Sequence, residues 1–121
     1  MQESNISIHI RVEPSVPNLK IVTIKGTFDA VTSMQVDKKI LPVIEQEKSN
    51  VIIDLSNVDY LSSVGIMCLA QYLVFLTEKK RLLKFVKPPQ HVFDTLRIIG
   101  FATKFEMYDS REEAIDSLKT K

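Results

Sequence analysis

The chain has 121 residues, 45% of them apolar and 26% charged, which is enough for one domain with a buried core and too apolar for a disordered segment. Lysine and arginine number 16 against 15 aspartates and glutamates, a net charge of +1, so bulk charge gives no case for binding nucleic acid or an anionic membrane. Cys68 is the only cysteine, which excludes an intrachain disulfide and a zinc site built on paired thiolates, and fits a reducing cytoplasm.

The N-terminus, MQESNISIHIRVEP, has neither a basic patch followed by an apolar run nor a small-residue cleavage site, so no signal peptide is expected. Ile6, Ile8, Ile10 and Val12 alternate with polar residues and predict a half-buried strand. A second alternating run, Leu19 to Ile24, follows a link containing Pro14 and Pro17, which predicts an antiparallel pair ended by Gly26. Asp29 and Thr32 are good N-cap types ahead of a helical pattern in Met34, Val36, Ile40, Val43 and Ile44. Pro42 lies inside that pattern and predicts a kink or break near Ile40.

VIIDL at 51–55 is a continuous apolar run of the kind found in a central strand covered on both faces. A turn-rich connection then leads into an apolar helix over roughly Ser63 to Lys79, and Lys79, Lys80 and Arg81 complement the negative end of its dipole. The run from Val64 to Leu76 is interrupted by Gln71 and falls short of the roughly 20 residues a spanning helix needs. Residues 81 to 86 predict another strand, stopped by Pro88 and Pro89. Val92, Phe93, Leu96 and Ile99 predict a helix closed by Gly100, Phe105 to Tyr108 a last strand, and Ser110 with Glu113 a capping box for a helix over Arg111 to Leu118. The order β β α β α β α β α predicts a single α/β domain over 1–121, its mixed sheet largely parallel with an antiparallel N-terminal strand and about four covering helices.

Catalytic signatures are nearly absent. With glycines only at 26, 65 and 100, neither a dinucleotide-binding turn nor a phosphate-cradling loop can be written. His9 and His91 have no Cys or carboxylate at ligand spacing, and Cys68 has no flanking cation, so these read as surface and packing positions. No metal, no cofactor and no enzymatic activity are expected. Ser62 and Ser63 differ by position: after a strand and at the start of a helix, they lie where ligands and partners engage an open α/β sheet. Serine there is a good N-cap, yet a cap needs one serine; with Ser62 as the cap, Ser63 takes the first helical position with its hydroxyl outward. On this helix Ile66, Leu69, Ala70, Leu73 and Leu76 form a stripe for the sheet, while Met67, Cys68, Tyr72 and Phe75 fall off it and predict a second buried face against a neighbouring helix or another chain.

Four segments, GTFDAVT at 26–32, VIIDLSNVDYLSSVGI at 51–66, PPQHVFDTLRIIGF at 88–101 and FEMYDSREEAIDSL at 105–118, resemble the STAS domain family, specifically the bacterial anti-sigma factor antagonists. The resemblance spans nearly the whole chain. It implies an antagonist that binds an anti-sigma factor acting also as a serine kinase, is phosphorylated by it, and is restored by a serine phosphatase. By the family pattern Ser63 matches the phosphoacceptor, Gly65 the motif glycine, Ile66 the motif leucine, and Asp29 the acidic residue near the acceptor. Ser62 stands where the family often has Asp, Val64 where it often has Ser or Thr, and Met67 where a second Gly is common. Ser62 and Val64 favour the alternative within the same fold, an adaptor or scaffold subunit of a signalling or transport complex that is never phosphorylated. The expected partner surface is Asp29, Thr32, Asp59, Ser62, Ser63, Val64, Gly65 and Met67; a weak homodimer stays open.

Overall fold

The computed structural model describes residues 5–46, 48–98 and 106–119, with the backbone alone over 95–98. Leu96 as a helix contact, Ile99, the Gly100 cap and Phe105 as a strand residue lie outside the described side chains and backbone. The elements are β1 (Ile6–Val12), β2 (Leu19–Phe28), α1 (Ser33–Gln46), β3 (Asn50–Leu61), α2 (Ser63–Glu78), β4 (Leu83–Val86), α3 (Gln90–Ile98), β5 (Glu106–Tyr108) and α4 (Arg111–Ser117), in the expected order. They build one five-stranded sheet ordered β1-β2-β3-β4-β5, antiparallel between β1 and β2 and parallel beyond.

That order fixes the layers. Each crossover from β2 to β5 steps to the next strand in the same direction, and crossovers of one hand then place their helices on one face. Accordingly Val36 and Ile40 of α1, Leu69 and Leu76 of α2 and Val92 of α3 share one core with Ile53 and Phe85 of the sheet. Only α4 comes after the last strand, and it covers the other face: Ala114 joins Leu19, Ile21, Ile52 and Val86, with Ile115 and Leu118 against them. β3 is thus covered on both sides, Ile53 and Leu55 facing the first core and Ile52 the second.

Four local features differ from the sequence expectation. β2 does not end at Gly26 but runs through it to Phe28, with Gly26 at φ 113 where the start of β1 crosses; a β-carbon there would lie 2.0 Å from the Asn5 carbonyl oxygen. β3 does not give way to a loop after Leu55 but continues to Leu61. Between the rungs Leu19↔Asn50 and Phe28↔Leu61, β2 uses 10 residues and β3 uses 12, so β3 bulges twice. Pro42 does not break α1: Val36, Ile40, Val43 and Ile44 are buried on both sides of it and hold both halves to the sheet, while Pro42 itself is exposed. The box at α4 is shifted: Ser110 Oγ accepts from the Glu113 N–H at 3.1 Å, but the Glu113 carboxylate takes the Asp109 N–H at 3.3 Å.

The second face of α2 is resolved within the chain. Tyr72 is buried and its hydroxyl donates to the Asp37 carboxylate of α1, while Cys68 and Phe75 pack partly buried against the same core. Burial and the nearby Asp37 charge push the Cys68 thiol up, and burial with the Asp37 bond does the same to the Tyr72 phenol. Both therefore stay protonated and neutral. Met67 alone of the four is left outside, 67% exposed. At the far end, the Arg81 side chain reaches across to α1, its guanidinium donating to the Ile44 and Ser49 carbonyls, while the Arg81 N–H caps α2 itself by donating to the Leu76 carbonyl at 2.8 Å.

Candidate functional site at the carboxyl edge of the sheet

Parallel strands β2 and β3 end side by side, pairing Thr27 with Tyr60 and Phe28 with Leu61. Each is followed by a turn into a helix, and the two turns are tied together at Phe28. Its carbonyl accepts the Ser62 N–H at 3.0 Å, and the backbone of Gly65 packs so close that a β-carbon would lie 2.8 Å from the same oxygen. Glycine is thus required here for close approach.

Ser62 is the N-cap of α2: its backbone is extended and its hydroxyl accepts the Gly65 N–H at 3.2 Å. Ser63 follows at the first helical position and is exposed. It stands where the first free N–H groups and the positive end of the helix dipole face solvent. Val64 is 40% exposed and Met67 67%, so Ser63 is flanked by apolar side chains of its own helix.

The β2–α1 turn is locked from within. The Asp29 carboxylate accepts the N–H groups of Val31 at 2.9 Å and Thr32 at 3.1 Å. The Thr32 hydroxyl donates to the Thr27 carbonyl at 2.8 Å and accepts the Asp29 N–H at 3.0 Å. Asp29, read from sequence as a cap type, caps this turn with its carboxylate while its carbonyl accepts the Ser33 N–H at 2.9 Å. The Thr32 carbonyl takes the first N–H groups of the helix, Gln35 at 2.9 Å and Val36 at 3.2 Å, but the Thr32 hydroxyl points back into the turn. Thr32 is only 4% exposed, so it sets the shape of the turn and presents little surface of its own. That turn lifts Val31 and Met34 into solvent, 82% and 71% exposed.

The structure therefore brings Asp29, Thr32, Ser62, Ser63, Val64, Gly65 and Met67 onto two adjoining turns and the helix starts they open. Asp59 has different neighbours. It lines a polar cleft of about 470 Å³ with Ser7, Lys25, Gly26 and Asn57, beside the start of β1. On the α3 side, Tyr60 stacks on His91 with ring centroids 5.5 Å apart, and His91 Nε2 accepts the Leu61 N–H at a long 3.5 Å. His91 is thus an anchor between α3 and the end of β3.

Sequence reading missed a second polar centre, on the α4 face. Asp54 accepts from the Ser56 hydroxyl at 2.7 Å, the Ser56 N–H at 2.9 Å and Arg111 Nε at 2.5 Å, and Arg111 also donates to the Thr23 hydroxyl at 2.8 Å. Burial alone would raise the Asp54 pKa, but the Ser56 hydroxyl, the Arg111 guanidinium and the Ser56 N–H together outweigh it and hold the carboxyl below its usual value. The available signal was an acid inside the apolar run VIIDL, since a buried carboxylate needs a partner. Its partner lies 57 residues away, beyond local reading.

Among the described residues no group of three His, Cys, Asp or Glu side chains could hold a metal, and no helix is long and apolar enough to cross a membrane. The described chain is thus a five-stranded α/β sheet with three helices on one face and one on the other, and the serine-capped α2 starts at its carboxyl edge. The chain belongs to the STAS domain family, whose model matches residues 7–114. A protein of Bordetella bronchiseptica named as an anti-sigma factor antagonist, BtrV, is 24% identical over 105 residues, covering 87% of this chain and 90% of that one. An anti-sigma factor antagonist from Mycobacterium paratuberculosis superimposes with a TM-score of 0.80 at 22% identity, covering 94% of both chains. The Bacillus cell fate determinant SpoIIAA in its phosphorylated form superimposes with a TM-score of 0.73 at 16% identity, covering 92% of this chain and 98% of that one.

Proposed function

We propose that this chain is an anti-sigma factor antagonist that works by partner switching. Unphosphorylated, it binds an anti-sigma factor that is also a serine kinase, and so frees a sigma factor in the cytoplasm. Phosphorylation of Ser63 by that kinase switches it off, and a serine phosphatase restores it. It is a kinase substrate and a binding module, and performs no chemistry of its own.

The observation that carries this reading is the place of Ser63: exposed, first in its helix, and bordered by exposed Val64 and Met67, with exposed Val31 and Met34 on the adjoining turn and helix start. Such an apolar surface, rather than the near-zero net charge, is what a partner would grip. A phosphate on Ser63 adds about −1.5 to −2 charge at a helix N-terminus, where the dipole favours an anion by about 0.3–1 kcal/mol. The fold therefore tolerates the modification. The partner does not, because it would have to bury a dianion within an apolar contact.

The test is the intact mass and phosphopeptide map of the protein recovered from its native cells, beside a Ser63→Ala version. One phosphate that disappears with Ser63→Ala is the expected result. Absence of phosphate under every growth and stress condition would refute the switch and leave the unphosphorylated adaptor, which the apolar Val64 in the motif favours.

A further inference from the structure

Beyond the N-terminal end of α4, a cleft of about 530 Å³ opens at the carboxyl ends of β4 and β5, within the size range of small-molecule sites. None of its lining residues belongs to the Ser63 surface. Pro88, Phe93 and Met107 form an apolar side, with Phe93 left 38% exposed. Lys87 and Asp109 line the same space; both are exposed, and among the described residues neither takes part in an ion pair. Opposite charges that share a cleft without meeting each other leave room for a ligand carrying both signs.

The backbone segments that carry the two charges are tied together. Lys87 sits at φ 47, a left-handed conformation that costs a residue with a β-carbon energy and that recurs at binding sites. What holds it there is the Lys87 N–H, which donates to the Tyr108 carbonyl at 2.9 Å. Asp109 is the next residue after Tyr108, so the same bond ties both charged positions to the end of β5. On the other wall, the β3 bulge brings in Ser56, whose hydroxyl is already committed to Asp54.

We propose that this cleft binds a small zwitterion with an apolar body, the chemical class of a free hydrophobic amino acid. Its carboxylate meets the Lys87 ammonium, its ammonium meets the Asp109 carboxylate, and its side chain lies on Phe93 and Met107. The site is independent of phosphorylation, so it stands or falls apart from the Ser63 switch.

The test is a titration of the full chain, followed by amide chemical shifts, with L-phenylalanine, L-leucine and L-methionine as probes. Two truncated probes accompany them: 3-phenylpropionate, which lacks the amine, and phenethylamine, which lacks the carboxylate. Saturable shifts confined to residues 87–93 and 107–109 are expected for at least one amino acid. Lys87→Gln, Asp109→Asn and either truncated probe should each weaken Kd about tenfold, or about 1.4 kcal/mol. Both variants replace exposed side chains, and a circular dichroism spectrum confirms that they fold. Absence of a saturable shift at millimolar concentration with all three amino acids overturns the proposal. So does equal affinity for 3-phenylpropionate, or an unchanged Kd in both variants.

Discussion

Replacing Gly65 by alanine asks how tightly the two turns of the site are joined. The added β-carbon would lie 2.6 Å from Leu61 Cδ1, 2.8 Å from the Phe28 carbonyl oxygen and 3.2 Å from Phe28 Cδ1. Leu61 can turn its methyl away at some loss of packing. The Phe28 oxygen cannot, because it is backbone in the last residue of β2 and already accepts the Ser62 N–H at 3.0 Å. Relief therefore requires α2 to move off β2, lengthening the bond that joins them. Overpacking of this kind costs about 1–3 kcal/mol, against which alanine returns up to about 1 kcal/mol of helix propensity. The expected net loss is about 1–2 kcal/mol, a fall in Tm of roughly 3–8 °C for a domain of this size. Urea unfolding followed by circular dichroism gives the first number, and hydrogen exchange of the Ser62 amide shows whether the loss is centred on the junction. A Gly65→Ala protein with an unchanged or higher unfolding midpoint, and a Ser62 amide as protected as before, would refute the close-approach argument.

Ser62→Ala should cost about 1 kcal/mol through loss of the cap on the Gly65 N–H, while Ser62→Asp should retain most of it; urea midpoints decide. Arg111→Ala leaves the Asp54 carboxylate, 5% exposed, without its cation and should cost about 2–3 kcal/mol, below the figure for a fully buried pair because Arg111 is itself 36% exposed. Because the folded Asp54 pKa lies below its unfolded value, its contribution is present above the unfolded value near 3.8 and is lost as pH falls through the folded one. An acid titration of stability should accordingly be flatter in Asp54→Asn than in the parent, and an equal slope would show that Asp54 is not the linked group. Met67→Lys should fold with its stability within about 0.5 kcal/mol yet fail to bind the partner, whereas Phe75→Lys should unfold, since Phe75 packs on the core. Measuring both by circular dichroism and partner pull-down separates contact surface from core.

The fold was legible because its signals are local and agree with one another. Alternating isoleucines gave β1, a continuous apolar run gave the doubly covered β3, and the serine pair gave the start of α2 to the residue. What escaped depended on pairing at long range. The length of β3 depends on two bulges against β2, and nothing in SNVDYL marks them as strand, because the outward residues of a bulge look like turn residues. Asp29 and Thr32 were visible as capping types, but only the close of β2 at Phe28 decided that the Thr32 hydroxyl would turn back to the Thr27 carbonyl and not to the helix that Thr32 precedes. Arg111 was visible as the start of a helix and Asp54 as an oddity, and their union required knowing that α4 returns over β3.

The separation of the two faces bears on how a modification at Ser63 can act. Behind Ser63 are Ile66 and Leu69 in the larger core, the Ser62 cap, and a Phe28 carbonyl that admits no extra atom. These contacts hold the start of α2 in place, and a phosphate at its tip is favoured by the helix dipole, so on the proposed switch the charge gives the helix no reason to move. On that reading, differential binding arises outside the domain, in what a partner touches. Val31, Met34, Val64 and Met67 are exposed in the unmodified chain and remain so after modification, yet a partner that covers them must also desolvate the new charge. On these grounds the crystal or solution structure of the phosphorylated chain should superimpose on the unmodified one through α2. A melted or displaced first turn of α2 would show that the switch works through the fold instead.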